Sequence, residues 1–125
     1  MQKKKFFNLV SILMGILFLS ACEYATITPD VPSPDQKVHF QADIIPIFNN
    51  GCNHVGCHNA TGPKPDLTVT GAYQSLMDNH MVVPGKSGES ILYTALQPGG
   101  VMSTYGNAKN NALIKNWIDQ GAENN

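Results

Sequence analysis

Four side chains able to do chemistry, two thiols and two imidazoles, fall within one short string, Cys52-Asn53-His54-Val55-Gly56-Cys57-His58. Two thiols followed at once by an imidazole are the parts needed to tie a haem to a chain. Each sulfur adds across one vinyl group, and the histidine after the second cysteine takes the iron as its proximal ligand. The familiar spacing puts two residues between the cysteines, whereas four stand here. The vinyls are fixed on a rigid ring, so the longer loop must bulge outward. Gly51 and Gly56 supply backbone that tolerates positive φ for such a bulge.

Two other chemistries use the same residues. Zinc could take Cys52, His54, Cys57 and His58, but four ligands packed into one such string leave almost no chain to wrap a tetrahedron. A Cys52–Cys57 disulfide is the ordinary outcome for two cysteines of an exported protein, and His58 would then be incidental. The motif alone leaves all three readings open.

The chain's beginning bears on the choice. Met1 to Lys5 is basic, Phe6 to Phe18 is an almost unbroken apolar run, and Leu19-Ser20-Ala21-Cys22 has the small residues of a cleavage site. A cysteine after Leu-Ser-Ala resembles the lipobox of bacterial lipoproteins, which implies that Cys22 is lipidated and becomes the mature N-terminus. An uncleaved anchor is the alternative, but the apolar run is short for a span and leaves Cys22 unexplained. Removing residues 1–21 leaves 104 residues and removes three of eight lysines, so five basic side chains face nine acidic ones, net −4. Such a surface excludes nucleic acid as a natural partner. Export also places Cys52 and Cys57 outside the reducing cytosol.

The elements that must position the motif follow from pattern. Residues 22–37, with Pro29, Pro32 and Pro34 and no apolar period, read as a tether, and the folded domain spans 38–125. Phe40, Ile44, Ile45, Ile47 and Phe48 fall at helical spacing, which predicts a helix that begins near Ala42 or kinks at Pro46 and delivers the chain into Cys52. Residues 59–66 are loop by composition. Leu67-Thr68-Val69 is a short apolar run able to pass along the edge of a bound ring. Tyr73, Leu76 and Met77 predict a short helix within 71–77. Ser87 reads as the N-cap of a helix with Glu89 in its first turn and Ile91, Leu92 and Leu96 on its inner face. Asn107 caps a last helix, 108–120, whose stripe of Leu113, Ile114, Trp117 and Ile118 packs onto the first helix, and Gly121 ends it.

Between these last helices, residues 97–106 form a glycine-rich loop carrying Met102. A thioether presented by such a loop is a candidate sixth ligand to haem iron, and filling the core is the commoner use of methionine. His80 is the main rival, beside Met81 in a polar turn. His54 lies in the bulge, facing away from His58, and His39 precedes the first helix as a surface residue.

In this order the features resemble a cytochrome c domain, and more closely the planctomycete-type cytochrome c group of exported bacterial proteins. The matching strings are Asp43-Ile44-Ile45-Pro46-Ile47-Phe48, Cys57-His58, Val83-Pro84-Gly85-Lys86-Ser87-Gly88-Glu89-Ser90-Ile91-Leu92-Tyr93, the Met102 loop and Trp117-Ile118-Asp119-Gln120-Gly121-Ala122. They cover nearly everything from residue 40 onward. The resemblance implies an all-α, small cytochrome c-like fold of about four helices around one covalent haem c. It implies Cys52 and Cys57 as thioethers, His58 as proximal and Met102 as distal iron ligand. In that family the distal methionine is commonly followed by proline, and here Ser103 follows it.

The expected function is electron transfer, not enzymatic turnover, by a lipid-anchored monohaem cytochrome of the bacterial cell envelope. The membrane, through lipidated Cys22, and a redox protein are the expected partners. The alternatives are a haem enzyme or sensor with an open sixth site, acting on peroxide or a small gas, and a haem-free module with a disulfide or zinc. No triad, phosphate loop or readable pair of catalytic carboxylates suggests an enzyme independently of haem.

Overall fold

The computed structural model describes residues 30–125. The expected signal peptide, the lipobox and Cys22 lie outside the described residues. Four α-helices make up the regular structure: α1 (Ile45–Gly51), α2 (Ala72–Asp78), α3 (Ile91–Thr94) and α4 (Ala108–Asp119), with no strand among the described residues. The protein is all-α, as its pattern predicts. None of these helices is long and apolar enough to cross a membrane.

Pro46 decides how the first helical segment is built. Proline lacks an N–H, and in an α-helix its ring collides with the carbonyl four residues back. The chain accommodates this by starting as a π-turn, Phe40–Ile44, closed by the Ile45 N–H on the Phe40 carbonyl. It then tightens into α1, whose first turn holds Pro46, where no donor is needed. His39 N–H is taken by the Asp43 carboxylate at 2.7 Å, which caps the start.

α4 is the scaffold of the core. Asn107 accepts the Asn110 N–H at 2.9 Å, as its cap position predicts. Leu113, Ile114, Trp117 and Ile118 are all buried. Trp117 stacks at 4.9 Å on Phe40, which meets Tyr73 at 5.4 Å and Phe48 at 6.3 Å in edge-on contacts. One aromatic cluster therefore joins α4, the π-turn, α1 and α2. Each buried ring of this kind contributes roughly 1.5–3 kcal/mol by leaving water.

Two expectations give way. Ser87 does not cap a helix: Ser87–Glu89 is a separate 3₁₀ turn, and α3 starts only at Ile91, with Ser90 before it. The reason lies in Ser90, fully buried, whose Oγ accepts the Val83 N–H at 2.9 Å and donates to the Lys86 carbonyl at 2.9 Å. That hydroxyl closes the 83–86 turn and holds its own backbone extended. Ile91, expected on the inner face, stands at the first position of α3 and is 51 % exposed, while Leu92 and Leu96 pack against the core.

The described end of the expected tether is attached to the domain. The Ser33 and Gln36 carbonyls accept from the Asn116 and Gln120 amides at 2.8 and 2.7 Å, and Lys109 pairs with Asp30 at 2.7 Å. The strip makes one turn of its own, Gln36 N–H on the Ser33 carbonyl at 3.1 Å, and α4 supplies further partners to its carbonyls.

Asp119 joins α4 to the 3₁₀ turn, accepting the Ser87 N–H at 3.0 Å and Lys115 Nζ at 2.6 Å. Partial burial alone would raise its carboxyl pKa, but the bonds from Lys115 and Ser87 outweigh it and leave the value lowered. A carboxyl lowered in the fold stabilises fully above its unfolded value of about 3.9, and that contribution is lost as pH falls through the folded value. Asp119→Ala is therefore expected to cost about 1 kcal/mol at pH 7 by urea unfolding, with the gap narrowing as pH falls below the ordinary carboxyl value of about 3.9. An unchanged gap across that range would show that the carboxylate charge plays no part.

Candidate functional site

The chain leaves α1 at Gly51 and enters the Cys52–His58 string as a bulge. Cys57 N–H closes onto the His54 carbonyl at 2.9 Å and His58 N–H onto the Cys52 carbonyl at 3.0 Å. His54, Val55 and Gly56 are pushed into solvent, Val55 93 % exposed. Gly56 sits at φ +83°, where a side chain would be strained, so the outward bulge needs this glycine. Gly51 is an ordinary helical residue, and its expected part in the bulge falls away because the loop turns at one point only.

His58 is the best-fixed side chain of the string. Leu67 N–H returns to the His58 carbonyl at 2.8 Å, which folds residues 59–66 back over the ring. Within that loop the Pro63 and Pro65 carbonyls both lie 3.1 Å from His58 Nδ1. Both partners are acceptors, so Nδ1 carries the proton, and in the neutral ring Nε2 keeps its lone pair. A ring held through Nδ1–H on backbone carbonyls, with Nε2 unengaged, is the arrangement of metal-ligating histidines. The loop is itself tied to α2, through Asp66 N–H on Ser75 Oγ at 2.8 Å, and Ser75 is buried.

Cys52, Cys57 and His58 line one cavity of about 520 Å³ together with Met81, Met102, Leu67, Ile114 and Asn111. This volume lies within the roughly 300–1,000 Å³ of small-molecule and cofactor sites. Its walls are mainly apolar, with Ile47 and Phe48 from α1, Leu92 and Leu96 from α3 and its extension, and Ile91, Val101 and Tyr105 among the lining residues. Val101 is 86 % exposed and Tyr105 61 %, so an apolar fringe meets solvent there. Leu67 runs along the cavity as its sequence suggests, whereas Val69 points to solvent and does not line it.

The two thiols are free, not joined in a disulfide. Burial, and secondarily the neighbouring Cys57, push the Cys52 thiol above its ordinary pKa. The thiolate is the attacking species in thiol chemistry, so the environment of Cys52 makes that sulfur the less reactive nucleophile. Among the described residues no group of three or more His, Cys, Asp or Glu side chains is gathered as a metal cage. His54 is exposed, its ring 3.4 Å from the Asn50 carbonyl, and does not line the cavity. The donor set thus fits a group needing two sulfurs and one imidazole nitrogen on an apolar wall.

The candidates for a further ligand separate by position. His80 is exposed and outside the cavity lining, at φ +54° in the turn after α2. His39 is exposed at the head of the π-turn. Met81 and Met102 both line the cavity. Met81 packs against the hydrophobic core, while Met102, 36 % exposed, is absent from that cluster. Sequence reasoning weighed His80 first among the rivals, but polarity of the surrounding turn gave no sign that the next side chain, Met81, turns inward. It also passed over Asn111 and the two proline carbonyls; backbone acceptors have no signature in residue type.

No protein-family model, curated protein or solved structure matches the chain.

The raised thiol pKa has a direct readout. In haem-free protein, Cys52 is expected to alkylate several-fold more slowly at pH 8 than in urea, with the difference shrinking as pH rises well above the ordinary thiol value of about 8.5. Peptide mass spectrometry after timed iodoacetamide quenching measures it. Equal rates in folded and unfolded protein would contradict the burial of that sulfur.

Proposed function

We propose that the protein is a monohaem c-type cytochrome that transfers electrons in the bacterial cell envelope, tethered to a membrane through lipidated Cys22. The observation that carries this reading is the pairing of two free thiols with a histidine whose Nδ1–H is spent on the Pro63 and Pro65 carbonyls, all lining one apolar cavity. Haem c, when bound, supplies one-electron exchange between ferric and ferrous iron. Cys52 and Cys57 would hold the group covalently, each through one thioether made by adding its S–H across a vinyl double bond, with no oxidant consumed. His58 offers Nε2 to the iron, and the two carbonyls fix the plane of its ring and raise its basicity. Met102 offers the thioether, and His/Met ligation raises the potential. Ile47, Phe48, Leu67 and Ile114 keep water from the ring, and the apolar fringe at Val101 and Tyr105 is where a redox protein partner would approach.

A haem with an open sixth site is the second reading, favoured by the exposure of Met102 and by Ser103 in the place the resembling group commonly gives to proline.

Spectra of protein matured in a host competent for cytochrome c assembly test the proposal. The oxidised form is expected to show the weak far-red sulfur-to-iron band, and Met102→His to retain haem while lowering the potential by on the order of 100 mV, within the ~0.8 V that axial ligands span. Cys57→Ala is expected to lose most of the covalent attachment. Rapid cyanide or CO binding with no far-red band would favour the open-site reading, and a colourless protein would contradict both.

A further inference from the structure

The loop that carries Met102 has a clamp at its base, and one side chain supplies it. The Met102 N–H returns to the Ala95 carbonyl at 2.9 Å. The next carbonyl, Leu96, accepts from Asn111 Nδ2 at 3.2 Å. Gly106, where the loop ends, closes the same contact: a Cβ there would lie 2.6 Å from the Leu96 oxygen and 3.1 Å from both polar atoms of the Asn111 amide. Leu96, Gly106 and Asn111 therefore meet at a point where only a bare backbone fits. Asn111 stands on α4, which the buried Ile114 and Trp117 seat in the core, so the clamp is mounted on an element anchored by its packing. Apart from its own turn hydrogen bonds the loop stands toward solvent, with Val101 86 % and Met102 36 % exposed.

The amide cannot be serving simple hydrogen-bond satisfaction. Asn111 Oδ1 is buried without a partner among the described residues, and flipping the amide would set that acceptor against the Leu96 carbonyl. A leucine would line the cavity without carrying an orphaned acceptor of its own. What leucine lacks is the donor that holds Leu96.

We infer that Asn111 is a positioning residue for Met102: its Nδ2–H fixes the base of the 97–106 loop and so holds the thioether at the iron. This rests on the haem reading above. Asn111→Leu exchanges one unpartnered acceptor, Oδ1, for another, the Leu96 carbonyl, so overall stability is expected to change less than the hold on the loop, which loosens. An exogenous ligand that competes with Met102 then finds the open form more often, and its apparent affinity rises in proportion.

Imidazole titration of the ferric holoprotein and hydrogen exchange of the Met102 amide read this on the full chain. Asn111→Leu is expected to bind imidazole up to about tenfold more tightly, the factor one net hydrogen bond supports, with Met102 amide exchange several-fold faster. Gly106→Ala, which presses on the same contact, is expected to act alike and serves if Asn111→Leu does not accumulate. A wild-type protein with no sulfur-to-iron band overturns the Met102 reading and this inference with it. A wild-type band, with imidazole affinity and Met102 exchange unchanged in the variants, overturns this inference alone.

Discussion

The fixing of one imidazole ring is the constraint on which the rest of the molecule depends. His58 is held through its N–H by Cys52, through its carbonyl by Leu67, and through Nδ1 by the carbonyls of Pro63 and Pro65. Each hold belongs to a different segment. The bulge supplies the first, the start of the chain toward α2 the second, and the intervening loop the third. A flexible side chain so constrained presents one nitrogen in one direction. This preorganisation is what a metal ligand needs and what a surface histidine such as His54 lacks.

The packing explains how so short a domain can hold a cavity. Phe40, Phe48, Tyr73 and Trp117 gather most of the apolar interior into one cluster. The cavity lies beside that cluster, sharing Phe48 and Ile114 with it. A domain below about 100 residues buries a smaller fraction of its surface than a larger one and is correspondingly marginal on its core alone. Under the proposed function, a flat apolar ring would complete the interior against the same side chains. Stability and cofactor retention would then be one property.

Much of the architecture was legible in the residues. The α4 stripe, its Asn107 cap and the contact of Trp117 with the first segment follow directly from period and capping chemistry. The bulge turns at Gly56, a residue type that marks such a turn in advance because glycine tolerates positive φ. What escaped sequence reasoning depends on tertiary contacts. Pro46 announces an interruption but not the π-turn that resolves it. Ser87 has the credentials of a cap, and the buried Ser90 hydroxyl overrides it by binding the turn before it. The carbonyls that orient His58, and the amide of Asn111, act through positions that only the folded chain creates.

The central claim is that Cys52, Cys57 and His58 exist to hold a porphyrin. Mass spectrometry of the tryptic peptide Val38–Lys86, from protein matured in a host able to assemble c-type cytochromes, tests it most directly. The account predicts one haem added to that peptide and no alkylatable thiol left on it. The bare peptide mass, with both cysteines alkylatable or joined in a disulfide, would contradict it.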